Sequence, residues 1–403
     1  MQFSEIINQQ EIKQQLTEMV QHNRLSHALL FLGKEGSGSL SMAIAFAQYL
    51  VCEKAGSQFT VSSQQSSPSL FGDEPTGNQQ PVTSNDSCGF CSGCIKSQQL
   101  IHPDIHFSYP VVTKKTGTPP ISTDYINEWR SFIKKSPYGN IYDWLQTINA
   151  ENKQGNITAN ECNDIIRKLN LKSFESEYKI LIMWMPEYLG AEGNKLLKLI
   201  EEPPANTLFI LVAENENLIL PTIVSRCQLI KIPLLETKDI EEALINKNNA
   251  TPATARQIAA ISDGNYREAL NYSDNNEENW ETLLRDWLNS ILKTGPVAQA
   301  KWVEEISRLG REKQKQFLRY FNHLLEVSLH LRIAGPNAIN DNDKDFAERL
   351  NKISGMEQQQ AILEELDKAA YYIERNANSK ILFHALTIKL YHIIQDKIVF
   401  LNH

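Results

Sequence analysis

A glycine loop that has lost its cation constrains this chain more than any other feature. Gly33-Lys34-Glu35-Gly36-Ser37-Gly38-Ser39-Leu40 follows the apolar run Ala28 to Leu32 and precedes a helical pattern. A strand, a glycine loop and a helix, in that order, are the context in which G-x-x-x-x-G-K-[ST] cradles phosphate. Gly33 and Gly38 occupy the motif's glycine positions, Ser39 stands in place of its Lys and Leu40 in place of its Ser/Thr. The Lys supplies the positive charge that reaches the β- and γ-phosphates, and the hydroxyl holds Mg²⁺. Ser39 carries no charge and Leu40 offers no oxygen. The sequence therefore predicts the architecture of an ATPase without its chemistry. If any nucleotide contact persists, it lies at Gly33, Gly36, Gly38 and Ser39, but ATP binding is not expected.

The rest of the pattern fits an α/β fold. Ala28 to Leu32, Ile180 to Met183, Leu208 to Ala213 and Leu229 to Ile232, the last with Lys231 inside it, are short apolar runs. Strands buried on both faces of a parallel sheet read this way, without alternation. Helical patterns lie between them, at Met42 to Leu50 and at Leu196 to Ile200 before Pro203-Pro204. Strands alternating with helices predict an open parallel sheet. From about residue 236 the strand signals fade. Ile240, Leu244, Ile245, Ala255, Ile258, Ala259 and Ile261 suggest a small helical domain. Beyond about residue 277, Phe317, Phe321, Leu324 and Leu325, and Ile362, Leu366, Ala369 and Ile373, recur at helical spacing as the core of a bundle. The expected division is 1–235, 236–276 and 277–403.

The chain has 403 residues and a net charge of -8, which argues against a broadly basic nucleic-acid surface. No apolar run reaches membrane-spanning length, and Met1-Gln2-Phe3-Ser4-Glu5 has neither part of a secretion signal, so a cytoplasmic location is expected. Residues 54–86 are rich in Ser, Gln, Pro, Gly and Asn and poor in large apolar residues. Such a stretch cannot bury enough surface to offset its ordering entropy and reads as a disordered insertion.

Immediately after it comes Cys88-Gly89-Phe90-Cys91-Ser92-Gly93-Cys94, a C-x₂-C-x₂-C run, and Cys52 lies upstream at the end of the post-loop helix. Four thiolates suit tetrahedral Zn²⁺ with no open position, hence a structural role that ties both ends of the insertion together in a module over 52–94. An iron–sulfur cluster also uses this spacing, but the distal Cys-Pro of the ferredoxin run is absent after Cys94. Free thiols are the bland alternative. His102, before Pro103, reads as a packed histidine, and Cys162 and Cys227 as ordinary buried residues.

These residues together resemble bacterial clamp-loader subunits of the AAA+ family. Cys52 with Cys88, Cys91 and Cys94, then His102-Pro103-Asp104, is similar to their zinc module. Leu25-Ser26-His27-Ala28-Leu29-Leu30-Phe31-x-Gly33, Asn194-x-Leu196-Leu197-Lys198-x-x-Glu201-Glu202-Pro203-Pro204 and Leu220-Pro221-Thr222-Ile223-x-Ser225-Arg226-Cys227-Gln228 are similar to their other blocks. Gly264-x-x-Arg267-x-Ala269-Leu270 resembles the second sensor of the lid, and Arg375-Asn376-Ala377-Asn378-x-Lys380 with Leu382 and Leu386 the collar helices. The resemblance implies an AAA+ core with a zinc module, a helical lid and an all-α collar. It implies partners too: the delta and gamma/tau subunits of a loader and, through the assembly, a sliding clamp and primed DNA, with no membrane.

The family holds ATP-hydrolysing motor subunits and a non-hydrolysing subunit. By that resemblance, the motors' metal-holding Asp falls at Trp184, the adjacent acid at Met185 and the first sensor near Ala213, while Glu187 lies farther along. With Ser39 and Leu40, both halves of a Mg·ATP site are lost, which points to the non-hydrolysing type. An intact Lys at position 39 would have favoured a motor. A zinc-dependent nucleic-acid module is disfavoured by the acidic balance and the absence of basic–aromatic runs. Ser225-Arg226-Cys227 is intact. On residues alone Arg226 reads equally as a surface arginine; the resemblance implies a finger acting in trans on ATP held by a neighbour. Lys34 reads as a solvated loop residue, and Arg267 as a link between lid and core.

Overall fold

The computed structural model describes residues 1–55, 85–114, 117, 119–150, 153–274, 280–334, 341–375 and 377–397. The insertion expected over 54–86 lies outside these residues except at its ends, as does Asn376. Two compact units are present, Met1–Asn271 and Tyr272–His403. Among the described residues no helix is long and apolar enough to cross a membrane.

In the first unit five strands form one sheet: β1 (Ala28–Gly33), β2 (Ile105–Ser108), β3 (Lys179–Trp184), β4 (Thr207–Ala213) and β5 (Gln228–Ile232). Their order is β2-β3-β4-β1-β5, with every pairing parallel. Leu30 is paired with Leu211 on one side and Leu229 on the other, so β1 is an inner strand. Alternate residues feed opposite layers, which is why Ala28 to Leu32 and Leu208 to Ala213 of the inner strands β1 and β4 are apolar throughout, whereas edge strand β5 exposes Gln228, Leu229 and Lys231 and is not buried on both faces as its run suggested. Leu29, Phe31, Ile180, Ile182, Leu208 and Ile210 enter one core, and Ala28, Leu30, Leu181, Met183, Phe209 and Leu211 the other.

The helices of this unit are α1 (Gln10–Gln21), α2 (Ser39–Leu50), α3 (Ser92–Gln98), α4 (Ile126–Lys135), α5 (Ile141–Thr147), α6 (Ala159–Leu169), α7 (Leu197–Glu201), α8 (Pro221–Val224), α9 (Thr237–Asn248), α10 (Pro252–Ile261) and α11 (Tyr266–Asp274), the last crossing the division between units. Every residue of α2 from Leu40 to Leu50 is buried, so this helix lies inside the core with no solvated face. The helix expected before Pro203-Pro204 is present at the expected place. It is the single turn α7, preceded by a 3-10 stretch, Pro186–Leu196, interrupted at Gly190. Its end is set by sterics: Pro203 bars the helical region to Glu202, which sits at φ -127 and ψ 71.

The second unit contains α12 (Trp280–Asn289), α13 (Pro296–Arg308), α14 (Arg311–Ala334), α15 (Asp341–Ile353), α16 (Met356–Glu374) and α17 (Ser379–Gln395). Trp287 stacks on Trp302 with ring centroids 4.5 Å apart, among Phe317, Phe321 and Phe383. The indole N–H of Trp287 donates to Thr387 Oγ1 at 3.0 Å, so its burial leaves no donor unsatisfied. Phe317, Phe321, Leu324, Leu325, Ile362, Leu366, Ala369 and Ile373 are all buried, as their spacing requires.

Candidate functional site

Three places in the first unit hold the residues that the sequence singles out. The glycine loop leaves the carboxyl end of β1, where ligands of open α/β sheets bind. Gly38 caps α2 at φ 84, a left-handed position that suits glycine. A second constraint acts there: a Cβ on Gly38 would lie 2.7 Å from a ring carbon of Tyr138. The Tyr138 hydroxyl accepts the Ile7 N–H at 3.0 Å, and burial pushes its pKa up to about 12, so it stays protonated. Glu35, on the same loop, accepts from Asn140 Nδ2 at 3.0 Å, Asn265 Nδ2 at 3.3 Å and Arg267 Nη1 at 3.0 Å. Arg267 also grips Asp143 with two bonds, Nε to Oδ2 at 2.6 Å and Nη2 to Oδ1 at 2.7 Å, and reaches Glu268 at 2.9 Å. One guanidinium thus ties α11 to the glycine loop and to α5.

About 20 Å³ of free space remains between the loop, Tyr138 and Gly139, Trp184 and Met185, and Ala213 and Glu214. That is room for roughly one water molecule. Lys34, Glu35, Gly36, Gly38, Ser39 and Leu40 line the space with Glu214, and the residue that β3 brings to it is Trp184. Trp184 turns into the core, with ring centroids 5.3 Å from Trp129 and 5.7 Å from Phe132. Met185 follows in a left-handed conformation, φ 57, which ends the strand. Glu187 is outside the cavity. One of its oxygens accepts the N–H groups of Glu214 and Asn215 at 2.7 and 2.9 Å, and burial pushes its pKa up. It fastens the turn after β3 to the turn after β4.

The four cysteines converge. The sulfurs of Cys52, Cys88, Cys91 and Cys94 all lie within 4.8 Å of one another. Cys88 and Cys94 have a sulfur–sulfur distance of 3.8 Å. Four ligands about 2.3 Å from one tetrahedral ion have edges of about 3.8 Å, so the group fits a single ion. Cysteines bound to different irons of a cluster would stand farther apart. Backbone N–H groups already point at the sulfurs: Cys88 to Cys52, Cys91 to Cys88 and Cys94 to Cys91, at 3.3, 3.4 and 3.4 Å. The Cys94 thiol and the N–H groups of residues 88, 54 and 55 favour the thiolate at Cys52 and hold its pKa well below that of an ordinary thiol. Gly93 makes the convergence possible, because a Cβ there would stand 2.4 Å from the Val51 carbonyl oxygen. His102 is buried, its Nδ1 accepts the Asp104 N–H at 3.2 Å, and it is not part of the sulfur group.

Arg226 lies between α8 and β5, with its side chain 35% exposed. It takes no part in lining the cavity at this chain's own glycine loop. Ser225 ends α8, and Cys227 is half-buried, which pushes its thiol up to about 11. Cys162 is fully buried.

Tyr138, Glu35, Asp143 and Asn265 escape a sequence reading centred on motifs. One signal was there: Asn140-x-x-Asp143 forms a reciprocal capping box that starts α5 and fixes the carboxylate Arg267 meets.

A parallel sheet of this order, with a glycine loop after an inner strand, is a P-loop-type AAA+ core. A family model described as DNA polymerase III, delta subunit, matches residues 8–70 and 74–236, more than half of the chain, and the chain belongs to that family. It is 27% identical over 269 residues to DNA polymerase III subunit delta' of Bacillus subtilis, covering 67% of this chain and 60% of that protein. With the tau subunit of the same organism it shares 24% over 330 residues, 80% of this chain and 46% of the relative. With Escherichia coli delta' it shares 25% over 219 residues, 54% and 45% of the two chains. The matches thus span about half the length of these relatives.

Proposed function

We propose that this chain is a delta prime subunit of a DNA polymerase III clamp loader, working in the cytoplasm without turnover of its own. In this reading it joins delta and gamma/tau subunits, helps place a sliding clamp on primed DNA, and supplies Arg226 to ATP held by a neighbour. The observation that carries it is the state of the glycine loop. Ser39 and Leu40 stand where a motor carries its Lys and Ser/Thr, and about 20 Å³ is left beside them among Glu35, Tyr138 and Trp184, while Arg226 stands at the surface and does not line that space. A guanidinium acting in trans neutralises charge developing on a transferred phosphoryl group, an effect of roughly 10³–10⁵ in well-studied systems. The four cysteines hold one structural zinc in this reading, since the set is closed and leaves no position for substrate.

The alternative is an ATP-hydrolysing motor subunit of the gamma/tau type, which draws on the longer alignment to tau. It requires a cation near Ser39 and a metal-holding acid near Trp184. One experiment separates the two. The isolated chain should show no ATP hydrolysis above background, and Arg226→Ala should join the reconstituted assembly but depress its ATPase and clamp-loading rates. Arg226→Lys should rescue poorly, because a point charge does not reproduce the planar fork. Hydrolysis by the isolated chain that Ser39 substitution abolishes would establish the motor reading. Normal turnover with the Ala variant would remove the finger.

A further inference from the structure

The guanidinium of Arg226 is already engaged on its own chain. Its Nε donates to Glu201 Oε1 at 2.6 Å, and Nη2 lies 2.5 Å from the same oxygen. Nη1 donates to the Thr222 carbonyl at 2.7 Å and to Ser225 Oγ at 3.2 Å. Each nitrogen has a partner, so an external anion can take the Nε–Nη2 edge of the fork only by displacing Glu201.

Two features make this hold releasable. Arg226 and Glu201 keep 35% and 44% of their side-chain surface in solvent, and ion pairs so exposed are weak because water screens both charges. Both contacts also converge on one carboxylate oxygen, so the two-oxygen fork that strengthens Arg–carboxylate pairs is not formed. The contacts of Nη1 are different in kind. Thr222 and Ser225 belong to α8 and its end, next to Arg226 itself, and they steady the side chain whichever anion Nε and Nη2 face.

We infer that Glu201 is a positioning residue for Arg226: it parks the guanidinium until a phosphate group presented by a neighbouring subunit displaces the carboxylate. The inference rests on the reading of Arg226 as a finger in trans. A terminal phosphate carries more charge than a carboxylate and offers three oxygens to the fork. Glu201 closes α7, Arg226 follows α8, and these two short helices pack together, so the exchange needs side-chain rotation and no backbone movement. While the subunit is alone, the parked arginine is shielded from stray anions. The glutamate therefore sets how much nucleotide binding the neighbour must supply to claim it.

The test has two arms. In the isolated chain the Arg226 Nε–H signal in nuclear magnetic resonance should be protected from exchange, and Glu201→Ala should expose it. An unchanged signal would mean that Glu201 does not hold the arginine, and would overturn the inference. In the reconstituted assembly Glu201→Ala should lower the half-saturating ATP concentration by about two- to fivefold, the range that an exposed pair can contribute. That shift should vanish when Arg226 is also Ala. A shift that persists without Arg226, or no shift at all, would overturn the parking role even if Arg226→Ala alone slows turnover and so leaves the finger standing. Normal turnover with Arg226→Ala would overturn both.

Discussion

Arg267 is 4% exposed and surrounded by carboxylates from three segments: Glu35 on the glycine loop, Asp143 on α5 and Glu268 beside it. Burying that much charge is tolerable only while the pairs stay intact. Arg267→Ala should therefore lower unfolding stability by about 3–5 kcal/mol, the usual cost of stranding a buried partner. Arg267→Lys should recover little, since one ammonium cannot bridge Asp143 bidentately and still reach Glu35. Urea unfolding of the variants against wild type measures this; a loss under about 0.5 kcal/mol, typical of surface sites, would show the cluster to be solvated. The sequence named Arg267 as a link but not its partners. Contacts between residues far apart along the chain leave no trace in local spacing.

At the scale of elements, the inner strands were easy to read, and of the two edge strands β5 was read and β2 was not. β2 is Ile105-His106-Phe107-Ser108, short and only half buried, so it lacks the unbroken apolar run of the inner strands. α4, α5 and α6 belong to a stretch without motifs, although Trp129, Phe132 and Ile133 have helical spacing and are all buried. His106 on β2 gives this edge a pH signature. Desolvation, with Lys168 and Lys179 nearby, lowers its pKa to about 4. The folded imidazole is neutral at a pH where the unfolded one, near 6.5, binds a proton. Unfolding thus takes up a proton between those values, and stability should fall as pH drops from about 6.5 to about 4. His106→Asn should flatten that slope in chemical denaturation; an unchanged slope would place the effect elsewhere. The cysteine segment was legible because its cysteines are close in sequence, except Cys52. One zinc per chain should be found by elemental analysis, and Cys94→Ser should lower the metal content and the thermal midpoint, because binding and local folding are coupled. Iron with sulfide, or no metal, would refute zinc.

The molecule as a whole holds two compact units, Met1–Asn271 and Tyr272–His403, and residues 236–271 cluster with the first. Helical periodicity marks where strands stop, but it does not reveal which unit a short helix joins. The second unit encloses its own aromatic core around Trp287, Trp302, Phe317 and Phe383. Residues 272–403 expressed alone should therefore unfold in one cooperative transition with the tryptophans buried, as fluorescence against denaturant would report. A gradual, featureless transition would mean that this core depends on the rest of the chain. A different consequence follows from the contact between the Cys88 N–H and Cys52 Sγ, 3.3 Å apart. Cys52 and Cys88, which flank residues 56–84 along the chain, thus meet at one neck. In polymer terms, the entropy of closing a ring between two such points changes by only about 0.6 kcal/mol when its contour doubles. Contour length there is nearly immaterial to the sheet, so the neck is a natural port: a place where lineages can lengthen the chain, or an experimenter can splice in a foreign domain, with the fold on either side barely sensing the change.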